Sequence, residues 1–374
     1  MRFIKWSFLS CLLLANISLF AANHDATFTF KNKQKQTQEQ TSQLPKPELA
    51  PRTCPTDQAV YFTLDFLYWS AHNHGFSWAN KNYDDTTRKP IDLRVLYVDE
   101  KWEPGFRFGI GWDTLHDYWD ILAQWTYYHN YSKDSASSPN ADYIVGGGIY
   151  PSSGMATNFI YRNGKAHWRL NYNMLDLEIG KTFYISKYLS FRAHAGTRGG
   201  WIDQSFRSEF TNMTYDKEPP IRDTVYHCEQ DYWGLGPRLG INGDWHLGAG
   251  FSIFGNIAAA LLYGKFDVHE TQRFLAADTT YRYWTLIPGV YNEILGLKRD
   301  FYELSPNLEM IIGLSWGECF YNEKVYFGLK AGWETNYWWN QYHLTTLILD
   351  LPEIGKETHP VSMQGLTLRA KVDF

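Results

Sequence analysis

After residue 58, apolar and polar side chains alternate along the chain with a period of two. That spacing puts successive side chains on opposite faces of a β-strand. The segment 366–374 shows it most plainly. Leu366, Leu368, Ala370, Val372 and Phe374 share one face, and Thr367, Arg369, Lys371 and Asp373 share the other. One face is wholly apolar, the other carries three charges and a hydroxyl, and the segment ends on an aromatic residue. Such a strand suits an outer-membrane barrel with lipid outside and water inside. It also suits an amphipathic strand of a soluble sandwich or barrel. If a bilayer is present the phase is fixed, because the reverse would put Arg369 and Lys371 in lipid at roughly 2–4 kcal/mol each.

The same alternation recurs upstream. Val60, Phe62, Leu64 and Phe66 oppose Tyr61, Thr63 and Asp65, and Phe76 with Trp78 marks a short second strand after His72-Asn73-His74-Gly75, a polar turn. Ile91, Leu93, Val95 and Tyr97 form a third. Phe106, Phe108, Ile110 and Trp112 oppose Gly105, Arg107, Gly109 and Gly111. Further segments centre on Ala123, Leu177, Ala193, Leu239, Ile257, Ile312 and Leu329. With 366–374 this predicts about twelve strands, an even number as in one-chain bacterial barrels. The connections alternate in length. Short turns fall near 114–117, 186–187, 243–246 and 318–323, and long polar segments at 130–165, 203–231, 265–301 and 340–360. A barrel with short periplasmic turns and long external loops accounts for this, and a sandwich does not. The predicted fold is an all-β, antiparallel transmembrane β-barrel of ten to sixteen strands over 59–374.

The start of the chain predicts export. Arg2 and Lys5 precede a short apolar run with Leu12, Leu13 and Leu14, and Ala21-Ala22 follows. This reads as a cleaved signal peptide over 1–22 rather than an anchor, since the run is short and broken by Ser10, Asn16 and Ser18. Loss of Arg2 and Lys5 moves the formal charge from -5 to -7. Residues 23–58 are rich in Lys, Gln, Thr and Pro and read as a disordered periplasmic leader. No later run approaches the ~18–20 apolar residues of a membrane helix. Aromatic residues make up 17% of the chain, which suits membrane interfaces. The remaining cysteines, Cys54, Cys228 and Cys319, match no metal spacing and allow one internal bridge or none.

Three stretches carry a family resemblance. They are Asp65-Phe66-Leu67-Tyr68-Trp69-Ser70-Ala71, Lys101-Trp102-Glu103-Pro104-Gly105-Phe106-Arg107 through His116-Asp117-Tyr118-Trp119-Asp120, and Leu170-Asn171-Tyr172-Asn173-Met174-Leu175-Asp176-Leu177-Glu178 through Trp201-Ile202-Asp203. Together they resemble the pore-forming outer-membrane proteins of the Legionella major-outer-membrane-protein type, also found in chlamydia-like bacteria. The resemblance implies a porin-like barrel and no particular solute.

Enzyme chemistry is not in evidence. His72 and His74 lack a third ligand at a metal spacing, and Asp176 with Glu178 lacks a catalytic partner. No G-x-S-x-G turn or phosphate-cradling lysine loop occurs. The expectation is therefore no catalytic residue, no metal, no cofactor and no nucleic-acid partner. Instead the predicted inward face carries Arg107, Asp176, Glu178, Arg192, His194, Arg198, Arg238, Glu309, Lys330, Glu334, Arg369 and Lys371, which would line a pore and set its ion preference. Phe374 is expected to serve as an assembly signal for the barrel-insertion machinery. The expected location is the outer membrane and cell surface of a Gram-negative bacterium, and the expected partners are outer-membrane lipid and small solutes or ions. The predicted function is passive diffusion of small solutes. The alternative is a surface adhesin that meets a host through its loops, with the barrel as anchor.

Overall fold

The computed structural model describes residues 60–74, 77–84, 89–114, 116–138, 142–146, 160–213, 221–276, 280–281, 284–285, 287–321, 325–347 and 354–374. The leader and the signal segment lie outside these. The chain divides into two units, Met1–Lys46 and Pro47–Phe374, and every described residue belongs to the second.

The elements are β1 (Val60–Asn73), β2 (Ala79–Asp84), β3 (Lys89–Leu96), β4 (Trp102–Asp113), β5 (Trp119–Ser137), β6 (Asp142–Gly146), β7 (Ile160–Tyr184), β8 (Leu189–Met213), β9 (Ile221–Gly248), β10 (Phe251–Ala276), β11 (Thr280–Tyr281), β12 (Trp284–Thr285), β13 (Tyr291–Phe320), β14 (Val325–Leu347) and β15 (Ile354–Asp373). Ten of them close a ring, in the order β1, β4, β5, β7, β8, β9, β10, β13, β14, β15 and back to β1, each pair antiparallel. Ten lies within the expected range. Of the twelve expected segments, those around Trp78 and Val95 are the ones outside the ring. Trp78 stands just before β2 and Phe76 lies outside the described residues, whereas the segment around Val95 falls in β3; β2, β3 and β6 form a small flap that joins the ring through β7.

The ring is staggered. A row of paired residues that starts at Tyr61 runs through Gly111, Leu122, Glu178, Gly196, Arg238, Ala260, Asn307, Trp338 and Val361. It returns to β1 at Asn73, so the shear is 73 − 61 = 12 residues. Shear of this kind is what tilts strands in a closed barrel.

The alternation predicted from sequence sets the faces. Leu64, Ile179, Leu239, Ile312 and Leu314 point outward and are about half exposed or more. Trp112, Trp119, Trp245 and Phe374 form an aromatic girdle near the rim of short turns. Trp102, Trp201, Trp233, Tyr263 and Trp339 form a second girdle. Trp102 and Trp112 are ten residues apart on β4. At about 3.3 Å per residue and a tilt near 40°, this is an apolar band of roughly 25 Å, the height of an outer-membrane barrel's lipid belt.

The strands are longer than the alternation near the lipid belt indicates. β7, β8, β9, β10 and β13 have 25, 25, 28, 26 and 30 residues. They continue as paired ladders into segments that read as loops, such as 203–213 and 221–231. The polarity of those segments marks a wall standing in water above the membrane. The inner face changes character along this length. Near the periplasmic rim it is charged. Toward the outer rim Trp69, Tyr128, Tyr172, Met174, Phe206, Leu262, Phe266 and Trp338 are buried in one apolar core.

Candidate functional site: the charged interior

All twelve predicted inward residues do project into the ring, and the structure brings ten of them into two ion-pair clusters. The first spans the seam between β1 and β15. Asp65 accepts Nε and Nη2 of Arg369 at 2.7 Å each and Nη1 of Arg107 at 3.2 Å. Arg107 reaches on to Glu334 with Nη2 at 2.7 Å and to the Thr126 hydroxyl with Nε at 3.0 Å. The Thr367 hydroxyl donates to Glu334 at 2.7 Å and accepts the indole N–H of Trp69 at 3.1 Å.

The second cluster spans β5, β7, β8, β9 and β13. Arg198 grips both oxygens of Asp176 at 2.6 Å, and its Nη1 reaches Glu309. Arg238 donates to Glu309 at 2.7 Å and Glu178 at 3.3 Å. Arg192 donates to Asp120 through Nε at 2.7 Å and to Glu178 at 3.3 Å, and His194 Nδ1 also meets Glu178. Two lysines sit nearer the rim in pairs of their own, Lys330 with Asp244 at 3.0 Å and Lys371 with Asp373 at 2.9 Å. Arg198 and Asp65 are almost wholly buried, so bidentate geometry is needed to offset their desolvation.

Space for these heads comes from glycines on the same inner face. A Cβ on Gly180 would meet the Arg192 guanidinium at 2.4 Å, and one on Gly111 would overlap the Tyr61 ring at 2.0 Å. Between the clusters lies a cavity of about 70 Å³, bounded by Arg107, Arg198, Arg238, Glu309, Lys330 and Arg369. Since about 10–15 Å³ of such space admits one water, and the lining is charged, the cavity has room for several.

Sequence reading did not single out Asp65, Asp120, Asn307, Asn336 and Thr367, which complete the network. Their signal was parity, since Asp65 shares a strand face with Thr63 and Thr367 with Arg369. Asn336 joins the layers, donating to Glu309 at 2.8 Å and to the Tyr172 hydroxyl at 3.3 Å. His72 lies within β1, and His74 stands in a turn just beyond it; Gly75 lies outside the described residues. His72 pairs with Glu100 at 3.0 Å and His74 with Ser362 at 2.6 Å. Among the described residues no group of three could hold a metal ion. Cys228 is buried and free, and Cys319 is disulfide-bonded to a residue outside those described.

Comparison with known proteins follows the same line. Among solved structures, a FadL homologue of Pseudomonas aeruginosa is 8% identical over 86% of this chain and 91% of that one, with a TM-score of 0.26. The TodX deltaS2S3 mutant monoaromatic hydrocarbon channel is 7% identical over 86% and 92%, with a TM-score of 0.27. OmpT of Vibrio cholerae in its trimer form is 8% identical over 83% and 97%, with a TM-score of 0.12. Likenesses this distant bear on neither lumen nor ligand. No curated protein matches the chain. The sequence profile described as Legionella pneumophila major outer membrane protein precursor matches residues 53–374. The chain therefore belongs to the Legionella major outer membrane protein family, a family of outer-membrane proteins, and its fold is a transmembrane β-barrel.

Proposed function

We propose that the protein is an outer-membrane channel through which small solutes and ions diffuse passively, held closed at its outer mouth in this conformation. The observation that carries the reading is the charged, polar interior at membrane depth, with its small cavity between the two clusters. An inert plug in lipid would be cheaper to build from apolar residues, because buried ion pairs are weak stabilisers. Ten strands lie nearer the filled eight-stranded barrel than the open sixteen-stranded one. Passage is therefore narrow, and it requires the outer apolar layer to yield. Within that layer Trp338 and Tyr172 meet edge to face, ring centroids 6.0 Å apart.

Planar-bilayer recording on the refolded, heat-modifiable protein tests this. Wild type should show rare, small conductance steps. Trp338→Ala with Tyr172→Ala should lengthen the open time or enlarge the step. Silence in both proteins would remove the channel reading. The second reading, a surface protein anchored by its barrel, is favoured by the wall of β7–β13 rising beyond the outer girdle. It would then stand, and loss of cell attachment on deletion of the outer loops would test it.

A further inference from the structure

The outward face just above the outer girdle is divided by charge. On β5, β7 and β8 it is basic. Lys133, Arg169, Lys165 and Arg207 are all exposed on this wall, and the ladders hold them side by side. Lys133 stands opposite His167, His167 opposite Arg207, and Arg169 opposite Tyr131. One carboxylate serves the group. Glu209 takes Lys165 Nζ and Arg207 Nε, the latter at 2.7 Å. Among the described residues no carboxylate pairs with Lys133 or Arg169. Glu229 marks the edge of the patch and lies 3.6 Å from His227.

Depth decides what this patch faces. Lys133 is two residues beyond Tyr131 on β5, and Arg207 is six beyond Trp201 on β8. At about 3.3 Å per residue and a tilt near 40°, the cations stand roughly 5–15 Å above the girdle, in the headgroup layer. Tyr131 adds a flat surface. Its ring stacks on His167 at 9° with centroids 6.0 Å apart, its hydroxyl lies 3.0 Å from His167 Nδ1, and Arg169 covers it at 5.8 Å. An aromatic face beside unpaired cations fits a sugar ring carrying phosphate.

On β8, β9, β10 and β13 the wall is acidic at the same height. Asp203, Asp231, Asp267 and Asp300 lie opposite one another on successive strands. Lys265 lies 3.1 Å from Asp300 there, and Lys298 4.0 Å from Asp267. The two flanks therefore differ in charge and not in depth.

We infer that the basic flank formed by Lys133, Arg169, Lys165 and Arg207 binds the phosphorylated sugar headgroup of an outer-leaflet glycolipid. The site is independent of whether the barrel conducts.

The full-length barrel in phosphatidylcholine nanodiscs, with lipid A as the probe, tests it. Native mass spectrometry would count the lipids retained. Wild type should hold lipid A and release its dephosphorylated form. Lys133→Ala/Arg169→Ala/Arg207→Ala should weaken retention roughly a hundredfold, since each surface cation contributes about a factor of five to ten toward an anionic headgroup. Asp267→Asn/Asp300→Asn, on the acidic flank, should retain lipid A at least as well as wild type. Preserved heat-modifiability would certify folding of each variant. Equal retention by the triple variant, equal retention of the dephosphorylated lipid, or equal retention of phosphatidylglycerol would overturn the inference.

Discussion

Asp65 is the acid on which the seam cluster turns. It accepts three donors from two arginines and has no exposed side chain. Asp65→Ala would leave Arg107 and Arg369 buried with fewer partners, which costs about 3–5 kcal/mol in comparable pairs. The expected result is a lower temperature for loss of the unboiled gel form. Asp65→Asn should fall between, since an amide oxygen still accepts. Much of this residue-level picture was legible. Alternation placed Arg107 and Arg369 inward because their neighbours on either side are apolar, and Arg198 because it keeps the parity of Arg192 and His194. The partners were not legible, because Asp65 and Arg369 are 304 residues apart and only ring closure makes them neighbours. That pairing also changes what substitution should do. Arg198→Glu would set a third acid against Asp176 and Glu309, so it is a folding variant and not a selectivity probe. Lys330, half-buried and held by a single carboxylate, is the better probe.

Strand β13 tests the assignment of faces. Ile312 is 66% exposed on the outer face, between Met310 and Leu314. Ile312→Arg should cost roughly 2–4 kcal/mol at mid-bilayer. Ser315→Arg, on the inner face, should cost less, as read from urea midpoints in detergent or lipid. Equal losses would mean that the phase of β13 is reversed. At this scale the sequence misled in one respect. The charged inner face reads as the lining of a narrow pore, with side chains that pair and fill the barrel as the alternative, and neither reading foresees an apolar layer. Yet Ala166, Trp168, Leu170, Tyr172 and Met174 share the parity of Asp176 and Glu178, and they continue that face upward as apolar surface. The signal lay in the parity, but polar neighbours such as Arg169 and Asn171 hid it, and the strand is legible only from about Leu175 onward. Strand length was obscured for the same reason, since a wall in water is polar on its outer side.

Conduction belongs to the molecule as a whole. Five guanidiniums, six carboxylates and the His194 imidazole make up the two clusters, Asp65, Asp120, Asp176, Glu178, Glu309 and Glu334 against Arg107, Arg192, Arg198, Arg238 and Arg369, a formal charge of 5 − 6 = −1 with the imidazole counted as neutral. On the channel reading proposed above, a small preference for cations is expected, because fixed negative groups favour them. Lys330→Glu should move the reversal potential in a salt gradient further toward the cation value. No movement would mean that ions do not pass this layer.

The stagger of the ring has a consequence for how the molecule comes into being. β1 and β15 are the first and last strands of the ring in chain order, and the thirteen residue pairs between them join opposite ends of the described chain. An open ten-stranded sheet would carry two bare edges, and in lipid each unpaired amide costs several kcal/mol. A half-built barrel therefore has no resting place in the bilayer. The charged clasp of Asp65 and Arg369 sits in that suture, so weakening it tells on the making of the barrel as well as on the stability of the finished one.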